Sequence, residues 1–213
     1  MTVHRTCRWL TVAIAATVLA VTLVINPHQG PQTAALTPAS YGRLVPASLI
    51  GSGTFTLPDP TSKTITYNTA LVPVDAAILA SMEPSGWDRS QTVATLTVAG
   101  LLRNRGYAIH AHTNPCGATG QDAGPHYQNH VDPAATSQHP STDPHYAHPR
   151  NEIWLDVRTD ANGVGVSHTT VPFVFTNRAP GSIVIHEAMS TATGPGQAGQ
   201  AGARVACLTL SRQ

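Results

Sequence analysis

What this chain has least of is charge. Charged side chains make up 11% of its 213 residues, 12 basic against 11 acidic. No basic patch is available to follow a phosphate backbone, so nucleic acid is not an expected partner. No acidic run forms a solvating tail. Aromatics stand at 5%, and there are three cysteines. Long apolar runs are missing except near the N-terminus. What is abundant is turn chemistry: 17 glycines and 17 prolines punctuate short stretches rich in Val and Thr. That composition points to many short strands joined by turns. The length suffices for one core of ordinary size and hardly for two.

The one long apolar run, "WLTVAIAATVLAVTLVI" at 9–25, follows the short basic "MTVHRTCR". As a helix it would be about 25 Å long, at the short end for a membrane span. Residues 1–25 read as a secretory signal peptide or an uncleaved N-terminal anchor, and export is the expectation. Membrane contact is then confined to this segment. Cys7 precedes the run and no cysteine follows it closely, so the pattern is not that of a lipoprotein. Residues 26–47 are rich in Pro, Ala, Gln and Thr and read as a disordered linker. Cys116 and Cys207 remain. An even pair in an oxidising compartment is expected to form one disulfide; the alternative is two buried thiols.

Residues 48–213 read as one β domain. Strand patterns occur at "GTFTL" (53–57) and "KTITYN" (63–68), with "PDPTS" as the turn between them. "SQTVATLTVAGL" (90–101), "EIWLDVRTD" (152–160), "GVSHTTVPFVF" (165–175), "GSIVIHE" (181–187) and "RVACLTL" (204–210) follow. "DAAILASMEP" (75–84) is open between strand and helix. Two stretches have no period. Residues 113–149 are dense in Pro, Gly, His, Asn and Asp, and loops this long are usually functional or disordered. Residues 188–203 are irregular and carry no charge. The expected fold is an all-β sandwich or barrel of about eight strands with two long functional loops.

Seven of the eleven histidines lie between 110 and 148. In "RGYAIHAHTNPCG" (105–117), alternation puts Tyr107, Ile109 and Ala111 on one face and Ala108, His110 and His112 on the other. Two imidazoles on one strand face can share a metal ion, though alone the pair is a weak signal. His126, in "GPHY", sits among turn residues. His186 ends the apolar strand "IVIHE", where a surface role would not put it.

"IHAHTNPCG", "AGPHY", "TDANG", "GSIVIHE" and "AGARVAC", in that order, resemble the Cu/Zn superoxide dismutases. The resemblance is good over 98–210 and rests on strands alone over 48–97. It implies a Greek-key β-sandwich or barrel. It implies copper held by His110, His112, His126 and His186, with His126 as the histidine that bridges copper to zinc and takes up a proton. It implies Arg204 as the anion-guiding arginine, Cys116–Cys207 as the disulfide, and superoxide as the substrate, converted to oxygen and hydrogen peroxide.

The zinc side departs from the family. No His-x-x-Asp step occurs, and "HPRNEIW" stands in its place. Ser190 stands where members often carry an aspartate linking the two metal sites. One reading is a rearranged zinc site drawing on His126, His139, Asp143, His145 or His148. The other is a copper-only protein whose loop histidines face solvent. His130 and Asp132 lie in the same loop. The neutral second loop leaves Arg204 nearly alone in steering the anion. The competing functions are a metal-binding module without turnover on a dismutase-like scaffold, or a structural sandwich that has lost function. Nothing in the sequence assigns an oligomeric state.

Overall fold

The computed structural model describes residues 46–136 and 139–213. The apolar run at 9–25 and most of the expected linker lie outside the described residues. Among those residues, no helix is long and apolar enough to cross a membrane.

The fold is all-β. Strands β1 (Leu49–Thr54), β3 (Ala77–Ser85), β4 (Gln91–Ala99), β8 (Gly165–Val171) and β11 (Ser211–Arg212) form a five-stranded sheet in the order β11-β1-β3-β4-β8. Strands β2 (Thr64–Thr66), β6 (Ile109–His112), β9 (Ser182–His186) and β10 (Arg204–Thr209) form a four-stranded sheet in the order β2-β10-β9-β6. Two short strands, β5 (Gly106–Tyr107) and β7 (Val157–Arg158), pair with each other. The count exceeds the expected eight because β5, β7 and β11 are two-residue strands.

Alternation builds the core. Ile78, Ala80 and Met82 of β3 and Ala94, Leu96 and Val98 of β4 turn inward. Their neighbours Leu79, Glu83, Thr95 and Thr97 are exposed. This period of two decides the ambiguous 75–84 segment in favour of strand. From the other sheet, Ile109, Ala111, Ile183, Ile185, Ala206 and Leu208 pack into the same cluster.

The turn at 58–62 links β1 and β2 of different sheets, and beyond the end of β1 Thr56 bridges Ile65. One expectation needs correction: the segment 152–160 is not one strand. Only Val157–Arg158 forms a ladder, preceded by isolated bridges from Glu152 to Gln128 and Trp154 to His110. Its Asp156 side chain accepts the Ile109 amide at 3.1 Å, so a side chain takes a bond that a regular ladder would give to a carbonyl.

The four-stranded sheet has an outer face as buried as its inner one. His110 and His112 lie there because Ile109 and Ala111 fill the core. Arg204 and Cys207 are three residues apart, so strict alternation would put them on opposite faces. The register of β10 against β9 shifts between Arg204 and Ala206. Arg204 therefore lies opposite His186 and Cys207 opposite Val184, both on the outer face. The bulge lets one strand supply both a site arginine and a disulfide cysteine.

Candidate metal centre

Four imidazoles meet over this outer face. His110 and His112 come from β6, His186 ends β9, and His126 comes from the following loop, bridged by its main chain to His112. One nitrogen from each lies within 4.8 Å of the others. The inward atoms are His110 Nδ1, 3.0 Å from His126 Nε2, and His112 Nε2, 3.1 Å from His186 Nε2.

The outward nitrogens all have partners. His112 Nδ1 meets Gly124 O at 2.9 Å and His186 Nδ1 meets Gly202 O at 3.3 Å. His126 Nδ1 meets Glu152 Oε2 at 2.9 Å. His110 Nε2 meets Thr191 Oγ1 at 2.5 Å, and that hydroxyl donates to Asp156 Oδ1 at 2.8 Å. Each partner accepts, so each outward nitrogen carries the hydrogen. The inward nitrogens then present bare lone pairs to one another. Lone pair against lone pair at 3.0 Å is unfavourable until a cation lies between them. The cluster is an arrangement that could hold a metal ion, with outer partners that orient each imidazole.

Burial supports that state. His110, His112 and His186 are at most 3% exposed. Desolvation pushes His110 and His112 well below the ordinary imidazole range, and the neighbouring histidines add to it. His186 falls to about 3 for the same first reason. Neutral imidazole is the form that binds metal.

The two orienting carbonyls belong to glycines at positive φ, Gly124 (φ 71°) and Gly202 (φ 77°). A Cβ on Gly124 would also fall against the Thr113 hydroxyl. Only glycine lets the carbonyl point at the ring.

Glu152 is buried and fully engaged. Besides His126, it accepts Trp154 Nε1 at 2.7 Å and Gln128 Nε2 at 2.8 Å. Gln128 Oε1 in turn accepts the Asp132 amide, and Asp132 accepts the Ser141 hydroxyl and the Ala134 amide. The loop is closed by these hydrogen bonds.

The residues expected of a zinc site form no ligand cluster of their own among the described residues, although His139 lines the same cleft as His126. His139, Asp143, His145 and His130 are exposed, and His148 is half-buried. Asp143 Oδ1 accepts the His145 amide, the His145 ring packs on Tyr146, and His148 Nδ1 accepts the Arg150 amide. Among the described residues, the four imidazoles are the only cluster of three or more metal-ligating side chains. A cavity of about 160 Å³ beside the His126–Glu152 pair contains no other ligand-type side chain.

Arg204 is half-buried and donates to Gly120 O at 2.9 Å. It lines a cleft of about 650 Å³ with His126, His186, His139, Gln121, Gln200 and Thr142. Gly120 begins the 3-10 turn Gly120–Ala123, in the loop that the Cys116–Cys207 disulfide fastens to β10. The disulfide fits an extracellular or otherwise oxidising setting.

Glu152, Thr191 and Asp156 are absent from the sequence-based site. Only Asp156 left a signal, a charge interrupting the apolar "IWLDV". No protein-family model matches the chain, and a search of curated proteins returns no match.

Proposed function

We propose that this protein is an exported, copper-dependent superoxide dismutase that works without a second metal. One observation carries the reading: the four imidazoles form one cluster, and two of them, His126 and His186, line a cleft together with Arg204. Four nitrogen donors of intermediate softness suit copper, which heads the divalent affinity order. Bound copper would supply the one-electron couple that dismutation needs and that zinc lacks.

The chain's own residues do the rest. Arg204 attracts and hydrogen-bonds a small anion at the cleft. Gly120 O holds the guanidinium at the cleft wall. Thr191 and the two glycine carbonyls keep His110, His112 and His186 in the ligating tautomer. His126 differs from these three because its outward partner is a carboxylate. A proton held at His126 Nε2 makes that ring a cation, and Glu152 lies against the resulting charge. The pair is suited to hold one of the protons that peroxide formation consumes. Glu152 also occupies the nitrogen through which a second metal would bind His126, which supports the copper-only form. The disulfide and the apolar run at 9–25 support export.

The alternative, a metal-binding module without turnover, draws on the histidine-rich loop. The presence of Arg204 in the cleft beside His126 and His186 favours the enzyme. The test is superoxide consumption by copper-loaded protein, with Arg204→Ala and His126→Ala alongside. Activity no greater than that of free copper overturns the proposal.

A further inference from the structure

We infer that Trp154 is an oxidation site, the residue that takes up oxidising equivalents produced at the metal centre in place of the four ligands. Main-chain atoms of Trp154 and His110 form a bridge, which sets the two residues side by side. Their rings lie 5.7 Å apart at 42°. Apart from the imidazoles themselves, no other aromatic ring among the described residues packs on the cluster. The indole is half-buried, and its Nε1 is fixed to Glu152. An indole is more readily oxidised than an imidazole, and this one lies against the ring of a cluster histidine.

The inference rests on the copper reading. The oxidant is hydrogen peroxide, the product of that reaction, activated by a redox-active ion in the cluster. In net terms one peroxide O–O bond breaks and one indole C–H becomes C–OH. The second oxygen leaves as water, and the ion ends in the state in which it began. No further oxidant or reductant enters the balance.

The protein has a built-in control in Trp87, which is 98% exposed. An oxidant acting from bulk solvent meets Trp87 first. Trypsin releases residues 151–158, "NEIWLDVR", which contain Trp154 and no histidine, methionine or tyrosine. The test loads the protein with copper, verifies the metal content, adds hydrogen peroxide and maps the added oxygen by mass spectrometry. Trp154 gains oxygen while Trp87 does not, and zinc-loaded protein stays unmodified. In Trp154→Phe, oxidation moves to the ligand histidines and copper is lost from the protein. Equal oxidation of Trp87, or oxidised ligands beside an intact Trp154, overturns the inference while leaving the copper site standing. A chain that takes up no copper overturns both.

Discussion

His126 and Glu152 form a part-buried pair, Nδ1 to Oε2 at 2.9 Å, on the side of the imidazole that faces away from the other three histidines. The carboxylate is 1% exposed and also serves Gln128 and Trp154. Removing it in Glu152→Ala leaves three donors without their acceptor. A buried unpaired polar group costs about 1–3 kcal/mol, and water entering the cavity offsets part of the sum. Urea unfolding of the metal-free variant should show a loss of about 2–4 kcal/mol. A loss below about 1 kcal/mol would mean that the pair contributes nothing to the fold.

The same pair predicts metal stoichiometry. Glu152 occupies the outward nitrogen of His126, and the loop histidines form no second ligand cluster among the described residues. Titration with copper should therefore saturate at one tight ion per chain, and added zinc should not raise the tight count. A second tight zinc ion retained after dialysis would restore the rearranged site built on His139, Asp143, His145 or His148.

The buried imidazoles make the metal-free protein acid-sensitive. His186 titrates at about 3 when folded, against 6.5 as its ordinary value. Burial moves His110 and His112 the same way. As pH falls below 6.5, the unfolded chain takes up protons that the folded chain refuses. Stability contributed by these rings is therefore complete above that value and is lost progressively toward about 3. The slope follows from the extra protons bound by the unfolded state. The urea midpoint of metal-free protein should fall between about pH 7 and about pH 5. A flat profile across that interval would mean that the cluster opens to solvent without its metal.

Much of this was legible in residue spacing, and the limits have physical causes. Alternation located His110 and His112 because the residues preceding each, Ile109 and Ala111, are core residues. It failed for Arg204 and Cys207, which share a face only through a bulge that no periodicity announces. The five motif blocks pointed to the four imidazoles because ligands and turn glycines are constrained in identity. Glu152 and Thr191 were invisible because hydrogen-bond partners of ligands come from wherever the fold brings an acceptor. Thr191 reaches His110 from a neutral loop and is itself held by Asp156, from another segment. The loop histidines divide: Asp143, His145 and His148 take part in local turns and a ring stack, while His139 lines the cleft.

Gly124 tests whether ligand orientation depends on backbone conformation. Its φ of 71° suits glycine, and its carbonyl fixes His112. Gly124→Ala introduces a Cβ against Thr113 and strains the left-handed residue, at about 1–3 kcal/mol. If the strain is relieved by a turn of the peptide, the carbonyl leaves His112 and copper affinity drops, by roughly 10–100-fold as for other lost ligand partners. Competition against a chelator of known affinity measures this. Unchanged affinity would show that His112 is held by its neighbours alone.

Arg204 offers the last prediction, because its surroundings are unusual for an anion-guiding group. Residues 188–203 carry no charge, and the cleft around the guanidinium is lined by Gln121, Thr142, Gln200 and the imidazoles of His126, His139 and His186, with no Lys or second Arg. Long-range steering needs a field summed over several like charges, and here a single cation supplies most of it. Salt screens distant charges, with a Debye length of about 8 Å at physiological ionic strength, but a contact made at the site is screened far less. The second-order rate with superoxide should therefore change little, by less than about threefold, between low and physiological salt. Arg204→Ala should lower it by roughly tenfold or more at both, since the loss is one of local attraction and hydrogen bonding. Pulse radiolysis over a salt series separates the two effects. A steep salt dependence that persists in Arg204→Ala would place the steering charge elsewhere on the protein.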